Sequence, residues 1–323
     1  MVKIAKPVVI GSVIGTGFAG ALIIKDHFGG KKYEEKNESE GKVVVITGAN
    51  TGIGRETALE LAKRKAKVVM ACRDIQKCEK AREDIVLQSR NKYVYCRLCD
   101  LASQSSIRKF AERFKTENQS LDVLINNAGV MRCPLSKTEE GIEMQLGVNH
   151  MGHFLLTNLL LDRLKASAPS RIVNVSSTAH KRGRINKEDL NSEQKYDGGA
   201  AYNQSKLANV LFTRELAKRL EGSGVTVNCV HPGIVDTEIT RHMSFFNSYV
   251  AAVLIKPFMW VFIRTPKQGA QTVLYASLSP DLEKVSGKYF SDCSEAEASP
   301  DAQDDTTARW LWLVSEKWTR LVG

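Results

Sequence analysis

Two groups of residues in this chain have the types and spacing to do chemistry. Tyr202 and Lys206 stand four apart within 201–220, a segment patterned as a helix, so their side chains share a face. A free tyrosine loses its proton near pH ~10, too high for exchange at neutral pH. A nearby ammonium favours the phenolate and lowers that value, which would make Tyr202 a general acid or base. The second group is Thr47-Gly48-Ala49-Asn50-Thr51-Gly52-Ile53-Gly54. It lies between a β-branched run and a helical pattern. Glycines there let the backbone turn tightly and approach a pyrophosphate, and the next helix offers its unpaired N–H groups. Each group alone has a plainer reading, a pair of ordinary helix residues and a tight structural turn.

The elements that must position these groups alternate. Strands are expected at 42–47, 67–72, 93–98, 121–126, 171–176 and 225–230, with a short last one within 284–290. Helices are expected at 55–64, 74–89, 105–117, 139–164, 201–220 and 267–278. Strands alternating with helices imply a parallel sheet with helices on both faces. The sequence shows no internal repeat and no second domain. We divide it into an anchor and linker at 1–40, a catalytic domain at 41–300 and a helix or tail at 301–323. The segment 237–265 is strongly apolar and reads as a cover for the substrate.

Residues 7–24 carry no charge and are flanked by Lys3, Lys6, Lys25, Lys31 and Lys32. As a helix they would span ~27 Å at ~1.5 Å per residue, close to the ~30 Å of a bilayer core. No clear small-residue cleavage site follows, so a retained membrane anchor is expected. Gly15-x-Gly17-x-x-Gly20 in this stretch imitates a dinucleotide fingerprint. It lacks the strand–turn–helix unit that such a fingerprint needs.

The net charge of +10 suits an anionic membrane or a phosphorylated cofactor. The basic residues are dispersed without a nucleic-acid motif, so no nucleic acid is expected. Seven cysteines in irregular spacing argue against a secreted disulfide framework. Cys96 and Cys99 form a C-x-x-C. Their odd spacing on a strand points them to opposite faces, so they read as buried, apolar-like cysteines and not as a metal or redox pair. His150, His153, His180 and His231 show no metal-like arrangement, and structural roles are expected for them.

The order of the motifs says more than any one of them. The glycine turn is followed by Asn126-Asn127-Ala128-Gly129, then Asn149, Ser177, Tyr202-x-x-x-Lys206 and Pro232-Gly233. Over roughly 41–290 this series resembles the short-chain dehydrogenase/reductase family. The resemblance implies a single Rossmann-type doubly wound α/β fold and an oxidoreductase that interconverts an alcohol and a carbonyl. It implies that Tyr202, Lys206, Ser177 and Asn149 are catalytic, with Ser177 on the substrate oxygen and Asn149 anchoring a water that links Lys206 to solvent. Ser177 lies 25 residues before the tyrosine, the family spacing; Ser176 is the neighbouring alternative. The implied cofactor residues are Gly48, Ala49, Asn50, Thr51, Gly52, Ile53, Gly54, Arg73, Asp100, Asn127, Ala128, Gly129, Tyr202, Lys206, Pro232, Gly233 and Thr237.

Aligned on the family pattern, the acid that binds a ribose 2′-hydroxyl is replaced by Cys72, and Arg73 follows. An arginine there grips a 2′-phosphate with its planar fork, so NADP(H) is expected, with Arg55 as a possible helper. Asp74 reads as a turn or helix cap. Asp100 reads as the adenine-contacting acid or as a cap of the next helix. The stretches 125–134, 146–161, 165–171 and 287–293 resemble the NADP-linked retinol dehydrogenases 11 to 14. That group implies a hydrophobic substrate, retinal or another lipid aldehyde, and a place in the endoplasmic reticulum or mitochondrial inner membrane. A homodimer is a family expectation. A broader lipid-aldehyde or steroid carbonyl reductase, and a non-catalytic NADP-binding membrane sensor, are the other readings.

Overall fold

The computed structural model describes residues 29–35, 38–239 and 263–321. The proposed anchor helix at 7–24 and most of the 237–265 cover lie outside them. Among the described residues no helix is long and apolar enough to cross a membrane.

The β-branched runs form strands because their side chains are buried on both faces. In chain order these are β1 (Val43–Thr47), β2 (Lys67–Cys72), β3 (Val94–Leu98), β4 (Val123–Asn126), β5 (Ser170–Val175), β6 (Val225–His231), β7 (Tyr289–Ser291) and β8 (Ser294–Glu295). They make one sheet in the order β3-β2-β1-β4-β5-β6-β7-β8. The first seven are parallel and β8 turns back antiparallel on β7. The sheet is therefore not wholly parallel, as the alternation of elements predicts. The final strand also begins later than 284, because a tight turn at Pro280–Leu282 and a left-handed Gly287 precede it.

Successive strand residues feed opposite cores, as the period of two requires. Val44, Ile46, Val68 and Met70 pack under helices α1 (Gly52–Lys63) and α2 (Ile75–Ser89) and, further along the sheet, α6 (Pro266–Leu278). Val43, Val45, Val69 and Leu124 pack under α3 (Gln104–Glu117), α4 (144–166) and α5 (Gly198–Arg219). The helix α4 has three parts, Met144–Leu146, a widened π-turn Gly147–Met151, and Gly152–Ala166. It starts five residues later than the pattern at 139–164 predicts. Gly141 takes a left-handed φ of 81°, and the Glu143 carboxylate caps the N–H groups of Gln145 and Leu146. The last helix, α7 (Asp305–Trp318), packs on α5.

The cysteines correct one expectation. Cys96 faces the α2 side and Cys99 the other, as their odd spacing requires. Cys96 is nevertheless not a lone apolar thiol: it forms a disulfide with Cys78 of α2. Reading the C-x-x-C in isolation overlooks a partner 18 residues earlier in the chain, which helix packing lays over β3.

Candidate active site

At the carboxyl ends of β1, β2 and β4 a half-open cleft of about 290 Å³ runs along the sheet edge. This is where open α/β sheets place their ligands. Its floor is the glycine-rich turn. Gly48 sits at φ 63°, where a side chain is strained and would press on Ala128. At Gly54 a methyl group would collide with the Gly48 carbonyl and the Asn127 amide. The turn is held from below by Thr47 Oγ1, which accepts from the N–H groups of Asn127 (2.9 Å) and Ala128 (3.0 Å). The Asn127 side-chain amide donates back to the Thr47 carbonyl at 2.9 Å.

The helix that follows presents its N-terminus to this cleft. Thr51, its N-cap, makes no side-chain cap, and its first turn carries no acid. By contrast Asp74, Ser103 and Asp197 cap α2, α3 and α5 with their side chains. An uncapped first turn beside a glycine cradle leaves backbone N–H groups and a positive dipole end for an anion. These residues fit the diphosphate of a dinucleotide.

Of the sequence-predicted cofactor residues, Gly48, Asn50, Thr51, Gly52, Ile53, Gly54, Arg73, Asp100, Asn127, Ala128, Gly129 and Thr237 line the cleft. Ala49 does not, being wholly buried beneath the turn. Pro232 and Gly233 do not line it either; Gly233 packs against the Arg264 side chain. Arg55 is also absent from the lining, because its guanidinium is engaged by Glu56 (2.9 Å) and Asp84 (3.4 Å). Asp74 accepts from the Lys77 N–H at 3.0 Å and so caps α2. Asp100 does not cap α3; Ser103 does, and Asp100 instead closes a local turn onto the Ala102 N–H. Lys77, which no motif points to, lines the cleft with Arg73. Its signal was available: it is the third residue of a helix capped by Asp74, one turn from Arg73.

Tyr202 and Lys206 do not line the cleft either; they stand with Ser177 behind its Gly129 wall, gathered from the end of β5 and from α5. Ser177, just past β5, holds its hydroxyl near enough to the Tyr202 phenol to act against the upward shift of its pKa. Lys206 Nζ lies 5.7 Å from the Tyr202 ring centroid and donates to the Val175 carbonyl at 3.1 Å. A methyl group on Gly129 would stand 3.6 Å from that ammonium, so the group abuts the cleft wall. The two adjacent serines separate cleanly. The Ser176 hydroxyl is buried and spent on the Lys206 carbonyl at 2.7 Å, whereas Ser177 faces the tyrosine.

Burial dominates the electrostatics here. It pushes the Tyr202 phenol up to about 12, with the Ser177 hydrogen bond pulling the other way. It pushes Lys206 down to about 8. The lowered tyrosine pKa expected from the Tyr–Lys pairing is thus not what the protein alone provides. Desolvation of the phenolate outweighs any help from an ammonium that is itself buried. The Asn149 side chain is fully engaged by protein groups. Its side chain accepts from the Val130 N–H (2.8 Å) and donates to the Val130 carbonyl (2.9 Å) and the Ser205 hydroxyl (2.9 Å). It therefore pins the loop after β4. His180, for which a structural role is expected, stands behind Ser177. His180 Nδ1 contacts the Ser177 carbonyl at 2.7 Å, and its Nε2 accepts from the Ser299 N–H at 3.2 Å.

Comparison with known proteins agrees with this geometry. Residues 42–245 match the short chain dehydrogenase family. The chain is 53% identical to retinol dehydrogenase 13 of Mus musculus over 313 residues, covering 97% of this chain and 93% of that one. It is 56% identical to retinol dehydrogenase 11 of Homo sapiens over 279 residues, 85% of each. Among solved structures, an uncharacterized protein from Mycobacterium Paratuberculosis superposes with a TM-score of 0.72 at 38% identity, covering 90% of this chain and 98% of that one. The NADP active-site complex of RhlG from Pseudomonas aeruginosa gives a TM-score of 0.63 at 25% identity, covering 79% of this chain and 95% of that one.

Proposed function

The chain belongs to the short chain dehydrogenase family, and from that premise we propose that it is an NADP(H)-dependent oxidoreductase that interconverts retinol and retinal, favouring reduction of all-trans-retinal. The observation that carries the chemistry is the convergence of Ser177, Tyr202 and Lys206 beside the Gly129 wall of the glycine-lined cleft. The similarity to retinol dehydrogenases over most of the chain supports the substrate.

When bound, the nicotinamide supplies the hydride. The chain's own residues handle the proton and the oxygen. The Tyr202 phenol is fully protonated at neutral pH, because burial holds it at about 12. That is the form needed to give a proton to a carbonyl oxygen, and it favours reduction. The Ser177 hydroxyl lies beside the phenol and can donate to the same oxygen as charge develops on it. Lys206, at about 8, keeps its charge through neutral pH and offsets negative charge on the phenolate left behind.

Arg73 and Lys77 at one end of the cleft support NADP(H) over NAD(H), since two cations there suit a 2′-phosphate. Cys72, at the position an NAD-binding acid would take, is buried and brings no charge. The uncharged run 7–24 supports attachment to a membrane, in the endoplasmic reticulum or the mitochondrial inner membrane.

The test follows NADPH oxidation in detergent with all-trans-retinal, a medium-chain aldehyde and a steroid ketone, then repeats it with NADH. Retinal turnover with NADPH is the expected result. Turnover of the other carbonyls without retinal would move the substrate to lipid aldehydes or steroids. A preference for NADH would overturn the role of Arg73 and Lys77. Tight NADPH binding without any turnover would favour a sensor.

A further inference from the structure

We infer that His153 is a positioning residue that couples the cofactor turn to the proton-donor helix through one continuous chain of buried hydrogen bonds. The inference rests on the assignment of 47–54 to the cofactor and of Tyr202 to proton transfer.

The chain begins at Thr47. Its Oγ1 accepts two backbone N–H groups, those of Asn127 and Ala128, which occupies both lone pairs. Its own proton must then go elsewhere. His153 Nε2 lies at 2.8 Å, whereas the Ile125 carbonyl is at 3.5 Å. The hydroxyl therefore donates to Nε2, and Nε2 is the unprotonated nitrogen. The proton of the imidazole sits on Nδ1, which lies 3.0 Å from the Asn149 carbonyl and donates to it. Asn149 in turn donates from its side chain to Ser205 Oγ at 2.9 Å. Ser205 Oγ donates to the Tyr202 carbonyl at 2.8 Å. Thr47, His153, Asn149 and Ser205 are each 2% exposed or less.

The donors in this path all run in one direction, from the glycine turn to the backbone of Tyr202, and the second N–H of the Asn149 amide goes to the Val130 carbonyl. The tautomer is thus dictated at both ends. Burial supports it by pushing His153 down to about 4, and the nearby Lys206 charge acts in the same sense, so the ring is neutral at working pH. A protonated ring would have no acceptor nitrogen for the Thr47 hydroxyl. The π-turn at Gly147–Met151 belongs to the same device. There the Gly152 N–H reaches back five residues to Gly147, a widened turn of the kind that re-aims side chains at functional sites. Asn149 lies within it and His153 follows it on α4.

Two substitutions separate the two ends of the ring. In His153→Asn the shorter amide can replace Nδ1 toward the Asn149 carbonyl but cannot reach Thr47. In His153→Gln the longer amide can replace Nε2 toward Thr47 and releases Asn149. Two readouts are needed, the NADPH dissociation constant by equilibrium fluorescence quenching and kcat with saturating retinal and NADPH. A lost buried hydrogen bond corresponds to about tenfold. His153→Asn is expected to weaken NADPH about tenfold with kcat nearly kept. His153→Gln is expected to keep the dissociation constant and lower kcat about tenfold. Thr47→Val should reproduce the first pattern, and Thr47→Ser should rescue it. Equal losses in both constants for the Asn and Gln variants, or a folded His153→Leu with both constants intact, would overturn the inference. If the parent reduces no carbonyl, the proposed function fails, and the Asn–Gln contrast in NADPH affinity still decides this inference.

Discussion

The turn at 47–54 works through its backbone, half open to solvent, and tolerates charge beside it at Arg73 and Lys77. The Ser177–Tyr202–Lys206 group works through side chains from two elements, the end of β5 and α5, and two of these side chains, Tyr202 and Lys206, are less than a tenth exposed. The first half needs only a local conformation that no side chain may obstruct. The second needs groups far apart in sequence brought into register by β5, α5 and the loop after β4. Backbone recognition is therefore cheap to encode, while shifted pKa values demand burial and hence the whole fold.

If the two halves are separable, Tyr202→Phe should lower kcat for carbonyl reduction by about a thousandfold and leave the NADPH dissociation constant nearly unchanged. A collapse of NADPH binding in that variant would break the division. On the other side, Arg73→Ala should raise the KM for NADPH about 10- to 100-fold, the loss of a charged hydrogen-bonding partner, with kcat and the KM for NADH little altered. Lys77→Ala, a single flexible charge, should show a smaller change in the same sense.

The sealed half also predicts an acid limit. Burial lowers His150 to about 3 and His153 and His231 to about 4, and lowers His180 as well. In the unfolded chain these rings take a proton below about 6.5. Between about 6.5 and 4 the unfolded state therefore binds more protons, and stability falls as pH falls. The thermal midpoint should drop steadily from pH 7 to pH 5; a flat profile would mean that the rings are not buried neutral. In the alkaline direction Lys206 loses its charge above about 8, so the reductive kcat/KM should decline there while NADPH affinity does not. The smallest effect is expected for Arg55→Ala. Its pairing with Glu56 and Asp84 keeps it out of the cleft, and the KM for NADPH should stay within about twofold.

The sequence was most legible where its information is local. Continuous β-branched runs mark the six long parallel strands, because a strand buried on both faces is apolar residue after residue. The spacing of Gly48, Gly52 and Gly54 after β1 identified the turn, because only a residue without a side chain fits there. Tyr202 and Lys206 declared their shared face through helical spacing alone. Where a start or stop depends on a single backbone conformation, the pattern overshot. The helical pattern at 139–164 runs through Gly141 and the strand expected within 284–290 through Gly287, both left-handed in the fold.

What only the tertiary structure decided is which side chains meet and in what electrostatic environment. Cys78 pairs with Cys96 because α2 crosses β3. Arg55 turns away from the cleft because Glu56 and Asp84 are nearer. Lys77 joins Arg73 because α2 begins there. Tyr202 is raised and not lowered because desolvation acts over the whole surroundings, which no spacing of two residues records. The histidines are the clearest case. In sequence His153 is an apolar-face residue of a long helix; in the fold it closes a hydrogen-bonded path from Thr47 to Asn149. A hydrogen bond depends on distance in space to within a few tenths of an ångström, and the chain writes only distance along itself.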